Sequence, residues 1–104
     1  MAKEDKLHPV HPGEVLQEEF LLPMGLSQSR VALAMGVHPR RINEIVLGKR
    51  GITADTALRL AKFFGTSAEL WLGMQKDYEL DVATDEVGER IEREVRTLAS
   101  IEAK

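Results

Sequence analysis

"LSQSRVALAMGVHPRRINEIVLGKR", residues 26–50, decides the fold. Two short apolar-periodic runs, QSRVALAM and PRRINEIV, meet at Gly36-Val37-His38. Ser27 stands where an N-cap belongs, because its hydroxyl can accept from a free amide of the first turn. Val31, Ala32 and Met35 then form a buried stripe, and Gly36 ends the run. Pro39 suits the first position of the next helix, where its missing N–H costs nothing. That helix runs from about Pro39 to Val46 and stops at Gly48. Two short helices joined this tightly make a helix-turn-helix, whose second helix lies in the DNA major groove.

The second run has a face suited to that task. At about 100° per residue, Ile42, Ile45 and Val46 fall on one side and anchor the helix to a body. Arg40, Glu44 and Leu47 fall on the other side, with Arg41 and Asn43 flanking. Arginine pairs bidentately with guanine, asparagine with adenine, and a carboxylate accepts from cytosine N4. Glu44 either reads cytosine or orients Arg40, four residues earlier. An acid facing DNA weakens grip, so it fits selectivity better. Ser27 and Gln28 open the first helix, where side chains and free N–H groups meet a phosphate. Lys49, Arg50 and Thr53 follow the second helix and can hold the DNA backbone beyond it.

Working outward, the chain reads as helix throughout. Pro12 opens "GEVLQEEFLL", which Pro23 and Gly25 stop. Thr53 caps "ADTALRLAKFF", with Ala57, Leu58, Ala61 and Phe64 as its apolar stripe and Gly65 as its end. Ser67 caps "AELWLGMQKDY". A looser joint from Leu80 to Thr84 leads to a last helix from about Asp85 to Ile101. The expected fold class is all-α: five short capped helices, then an amphipathic C-terminal helix. The expected division is an N-terminal arm over 1–11, a DNA-binding domain over 12–82 and an acidic C-terminal helix over 83–104. Ile42, Ile45, Leu58, Phe64 and Trp71 are expected to be buried together. Leu70, Trp71, Met74 and Tyr78 recur at helical spacing, which marks core, or an interface for a partner.

Composition bounds the function. The 104 residues have no cysteine, which removes disulfides, thiolate zinc sites and thiol catalysis and suits a reducing cytoplasm. The N-terminus lacks an apolar signal core, and no apolar run approaches the roughly 20 residues of a membrane span. His8 and His11 could share a metal, but two histidines without a third ligand make a poor site. No catalytic set, phosphate-cradling glycine loop or zinc-protease motif is present, so neither an enzyme nor a cofactor or metal is expected. Net charge is −3, unevenly spread. Residues 25–76 carry eight Lys or Arg against three acids, whereas residues 77–104 carry four against nine. A basic middle between acidic ends points to an anionic partner for the middle.

In the last helix, Val87, Ile91, Val95 and Leu98 form a narrow apolar stripe. Glu86/Arg90, Glu89/Arg93 and Glu92/Arg96 are spaced to pair around it. Such pairs cannot bury the stripe, which needs the body, a second subunit or another protein to cover it.

"LSQSRVALAMGVHPRRINEIVLGKR" resembles the helix-turn-helix of the lambda-repressor-like (XRE) family. With the flanking "HPGEVLQEEFLLPMGLSQ", "RINEIVLGKRGITADTALRLAKFFGTS" and "LWLGMQKDYEL", residues 8–82 look like the HigA/VapI-type antidote proteins of bacterial toxin–antitoxin modules. The resemblance implies a dimeric protein that binds a palindromic operator on double-stranded DNA. Such a protein represses its own operon, neutralises a small basic ribonuclease toxin and works in the bacterial cytoplasm at the nucleoid. A free-standing phage-type repressor without a toxin is the alternative. Carried onto this chain, the family's phosphate-contacting glutamine falls on Gln28. Its base-reading positions fall on His38, Pro39, Arg40 and Glu44, with Arg41 and Asn43 beside them. Pro39 departs from the wider family, because proline has no polar side-chain group to read a base.

Overall fold

The structure, a computed structural model, describes residues 9–102. His8 and most of the expected N-terminal arm lie outside the described residues. Helix α1 comprises Pro12–Val15, a π-helical stretch Leu16–Leu21 and Leu22–Met24. Then follow α2 (Gln28–Met35), α3 (Pro39–Val46), α4 (Ala54–Phe64), α5 (Ala68–Glu94) and a short α6 (Leu98–Glu102). The class is all-α, as the periodicity implied.

Local chemistry sets most of the boundaries. The hydroxyls of Ser27, Thr53 and Ser67 accept from Arg30, Thr56 and Leu70 amides, capping α2, α4 and α5. His38 caps α3 through Nδ1, which accepts the Arg40 N–H at 3.0 Å. Gly36 sits at φ 74, a left-handed conformation that costs a side chain-bearing residue energy. It lets the Val37 amide reach the Ala32 carbonyl at 3.0 Å and the Gly36 amide reach Leu33 at 3.1 Å. This reciprocal pair closes α2 and turns the chain sharply into α3.

The core joins Leu16 and Leu21 of α1, Val31, Ala32 and Met35 of α2, Ile42 and Ile45 of α3, Ile52 of the loop after α3, Ala57 and Leu60 of α4, and Trp71 of α5. Phe20 stacks on Phe64 and Trp71 at centroid separations of 4.8 and 5.0 Å. Gly13 is the close approach that seats α3, since a Cβ there would collide with the Ile45 carbonyl. The N-terminus of α1 therefore lies directly on the last turn of the helix that carries the arginines.

Three expectations need correction, for Leu58, Phe64 and the joint before the last helix, and Trp71 proves core rather than interface. Leu58 is 64% exposed, while Leu60 is fully buried, so α4 is rotated from the expected stripe. Thr56 explains the difference: its hydroxyl is satisfied inside by Arg41 and Thr53, which lets a polar residue face the core. Phe64 is partly buried. Trp71 is fully buried, and its Nε1 donates to Thr66 Oγ1 at 2.8 Å, so it offers no surface to a partner. The joint at Leu80 to Thr84 does not exist. α5 runs through it unbroken to Glu94, because residues 80–84 contain no Gly or Pro and extending a formed helix is easy.

The break comes instead at Val95, which is extended at φ −94, ψ 123. β-branched Val95 and Thr97 are poor helix formers, and Thr97 Oγ1 accepts the Ser100 amide at 3.0 Å to start α6. The continuous stripe is thereby broken. Val87 is half-buried, but Ile91, Val95 and Leu98 are exposed, and nothing within the described chain covers them. Arg90 approaches Glu94 at 3.8 Å, rather than its expected partner Glu86, and Arg96 turns to Ser100.

His11 gives the fold a pH dependence. Its Nδ1 accepts the Gly13 amide at 2.9 Å, which requires a neutral imidazole, and its ring meets Tyr78 edge-on at 4.8 Å. Burial pushes its pKa below the ordinary 6.5, against the opposing pull of Glu14. The unfolded chain therefore takes up this proton more readily than the folded one. Stability from this group is complete above about pH 6.5 and is lost as pH falls below it. Unfolding midpoints at pH 7.5 and 5.5 are expected to show this loss. His11→Asn, whose side-chain oxygen still caps without titrating, is expected to show a smaller one.

Candidate nucleic-acid interface

The expected reading residues gather on and around α3. Ile42 and Ile45 are fully buried, which fixes the rotation of the helix and turns Arg40, Asn43 and Leu47 outward. Glu44 lies on the same side and is about one-third exposed. His38 and Pro39, both exposed, form its cap and first turn. Among the described residues, Arg40 has no side-chain partner, so its five guanidinium donors are available.

Gln28, at the start of α2, accepts from Asn43 Nδ2 at 3.1 Å. The phosphate-side residue and the reading helix thus meet in one hydrogen bond. Ser27 and Thr53 are capping residues first: each oxygen accepts a backbone amide at its helix start. Both remain at exposed helix N-termini, where free N–H groups and the positive dipole end favour an anion. Lys49 and Arg50 are exposed just beyond α3.

Two side chains are placed differently from the expectation. Arg41 does not extend outward from α3. Its Nη1 reaches Asp55 Oδ1 at 3.0 Å and Thr56 Oγ1 at 3.3 Å, tying α3 to the start of α4. Glu44 does not orient Arg40; it pairs with Arg50 instead.

Sequence reasoning missed the bracket around Asp55, in the first turn of α4. Arg59 Nε donates to its Oδ1 at 2.7 Å, while Arg59 Nη1 donates to the Met35 carbonyl at 2.8 Å. Hydrogen bonds from Arg59 and then Arg41 hold the Asp55 carboxyl below the usual range. One acid thus links α2, α3 and α4. The Asp55/Arg59 half was legible as an i,i+4 pair. Arg41, fourteen residues away, gave no local signal. A buried amide was also missed: Gln75 Oε1 accepts the Ile52 N–H at 2.7 Å and holds the loop after α3.

Among the described residues, no group of three or more His, Asp or Glu could hold a metal, and no helix is long and apolar enough to cross a membrane.

Residues 18–71 match the protein family described as Helix-turn-helix. The chain is 55% identical over 82 residues to virulence-associated protein I of Dichelobacter nodosus, covering 79% of this chain and 76% of that protein. It is 38% identical over 78 residues to antitoxin HigA-1 of Vibrio cholerae, covering 75% and 73%. Among solved structures, it superposes on the Pseudomonas aeruginosa antitoxin HigA with the higBA promoter. There the TM-score is 0.85 and the identity 42%, over 88% of this chain and 99% of the other.

Proposed function

The chain belongs to the helix-turn-helix family of the HigA-type antitoxins, and from that premise we propose that it is a sequence-specific DNA-binding antitoxin. It represses its own toxin–antitoxin operon and neutralises a small basic ribonuclease toxin. The observation that carries this reading is the geometry of α3. Its apolar side is locked in the core by Ile42 and Ile45, so Arg40, without a side-chain partner among the described residues, is held outward by the fold itself.

In this reading residues 12–82 serve DNA. Arg40, Asn43 and Glu44 read base edges, with His38 and Pro39 alongside. Ser27, Gln28, Lys49, Arg50 and Thr53 grip phosphates. Arg41 supports α3 through Asp55 and reads nothing. Two copies of the chain bind half-sites about one helical turn apart on a palindrome. The segment 77–104, with nine acids against four basic residues, turns away from DNA and suits a basic toxin. The protein acts in the bacterial cytoplasm, at the nucleoid.

The test is binding to the duplex upstream of the gene at several salt concentrations. Phosphate contacts predict a steep loss of affinity with salt. Arg40→Ala is expected to cost about 1–3 kcal/mol on that duplex and little on random DNA. Equal losses on both would make Arg40 a phosphate contact and would refute the assigned face. Co-purification with the product of the adjoining reading frame tests the antitoxin half. If that product inhibits growth and does not bind this chain, the antitoxin role fails while the repressor role can stand.

A further inference from the structure

Glu44 carries an unusual attachment for an acid that faces DNA. Arg50 Nε donates to its Oε1 at 2.9 Å, and Arg50 Nη2 lies 2.8 Å from the same oxygen. Both contacts converge on Oε1. The backbone fixes the same pair, since the Glu44 carbonyl accepts the amides of Lys49 at 2.8 Å and Arg50 at 3.2 Å. The turn after α3 is thus folded back onto Glu44 by main chain and side chain together. With side chains 32% and 45% exposed, such a pair contributes little to stability, so folding alone does not account for it.

We propose that Glu44 and Arg50 form one reading unit, in which Arg50 is a positioning residue that holds the Glu44 carboxylate for the N4 amine of a cytosine in the major groove. The inference rests on the DNA-reading function proposed above. A carboxylate only accepts hydrogen bonds. In the major groove the donors are cytosine N4 and adenine N6, and adenine sets its N7 acceptor beside that donor, where it repels a second carboxylate oxygen. An unpaired glutamate there would be repelled by the phosphates. Paired with Arg50 it is close to neutral, so it adds selectivity without that cost in affinity. Two of the five guanidinium donors are used on Oε1, and the other three remain for a neighbouring phosphate.

The experiment selects duplexes from a randomised pool with the wild-type protein and then measures affinity for the selected sequence with each base exchanged in turn. Wild type is expected to prefer cytosine at one position of each half-site by about tenfold. Glu44→Gln and Arg50→Ala are each expected to lose that preference at the same position. Arg50→Lys, which keeps the charge but not the fork, loses most of it as well. The double variant loses no more than either single one, because both act through one contact. Thermal unfolding of each variant confirms that the exposed substitutions leave the fold in place. If Arg50→Ala weakens every sequence equally and keeps the cytosine preference, Arg50 is only a phosphate clamp and the proposal is overturned. An unchanged preference in Glu44→Gln, or a lost preference for another base, overturns it too. A wild-type protein that enriches no sequence overturns the DNA-reading function itself, an outcome distinct from the others.

Discussion

Trp71→Ala is expected to destabilise the protein by about 3–5 kcal/mol, as truncation of a fully buried aromatic residue does. The indole does three jobs. It fills the centre of the core between α1, α4 and α5. It packs against Phe20 and Phe64 at 5.0 and 6.2 Å between ring centroids, contacts worth more than their area alone. Its Nε1 donates to Thr66 Oγ1, which pins the turn between α4 and α5. Removal leaves a large cavity and takes away the donor that Thr66 Oγ1 accepts from. Trp71→Phe keeps most of the ring contacts and loses the donor, so it is expected to cost markedly less. Denaturant unfolding followed by circular dichroism measures both. A loss under about 1 kcal/mol in Trp71→Ala would mean that the indole stands at a surface after all, available to a partner.

Leu60→Ala is expected to cost about 2–5 kcal/mol, and Leu58→Ala to stay within about 0.5 kcal/mol. The two leucines lie two residues apart on α4 and carry the same side chain. Only burial separates them: Leu60 is fully enclosed, and Leu58 lies in an open groove with Ala34, Lys62 and Phe63. The comparison therefore reports the rotation of α4 directly, with composition and helix propensity held constant. The opposite ranking would restore the Ala57/Leu58/Ala61 face as the core and refute the packing described above. Loss of Leu60 is also expected to loosen the seat of α3, because both contribute to one core cluster. Affinity for DNA should then fall at temperatures where the variant is still largely folded.

The sequence by itself determined whatever is settled within about four residues along the chain. Ser27, Thr53 and Ser67 start helices, and Gly36 and Gly65 end them, because a side-chain cap or a positive φ is a local event. The outward face of α3 was legible for the same reason, since a helix with isoleucines three residues apart has one apolar side. The tertiary structure alone decided what depends on residues far apart in the chain. On α4, period 3.6 admits two neighbouring stripes, and Arg41 chose between them by satisfying Thr56 from another helix. Spacing favoured core for Trp71 but left an interface open, and Phe20, Phe64 and Thr66 around the indole decide for core. Glu44 had Arg40 within helical reach, yet the turn after α3 brought Arg50 closer. Arg41 was expected to flank the outward face, and folding set it beside Asp55. In each case an equal local choice was broken by a contact whose partner the chain only meets once it is folded.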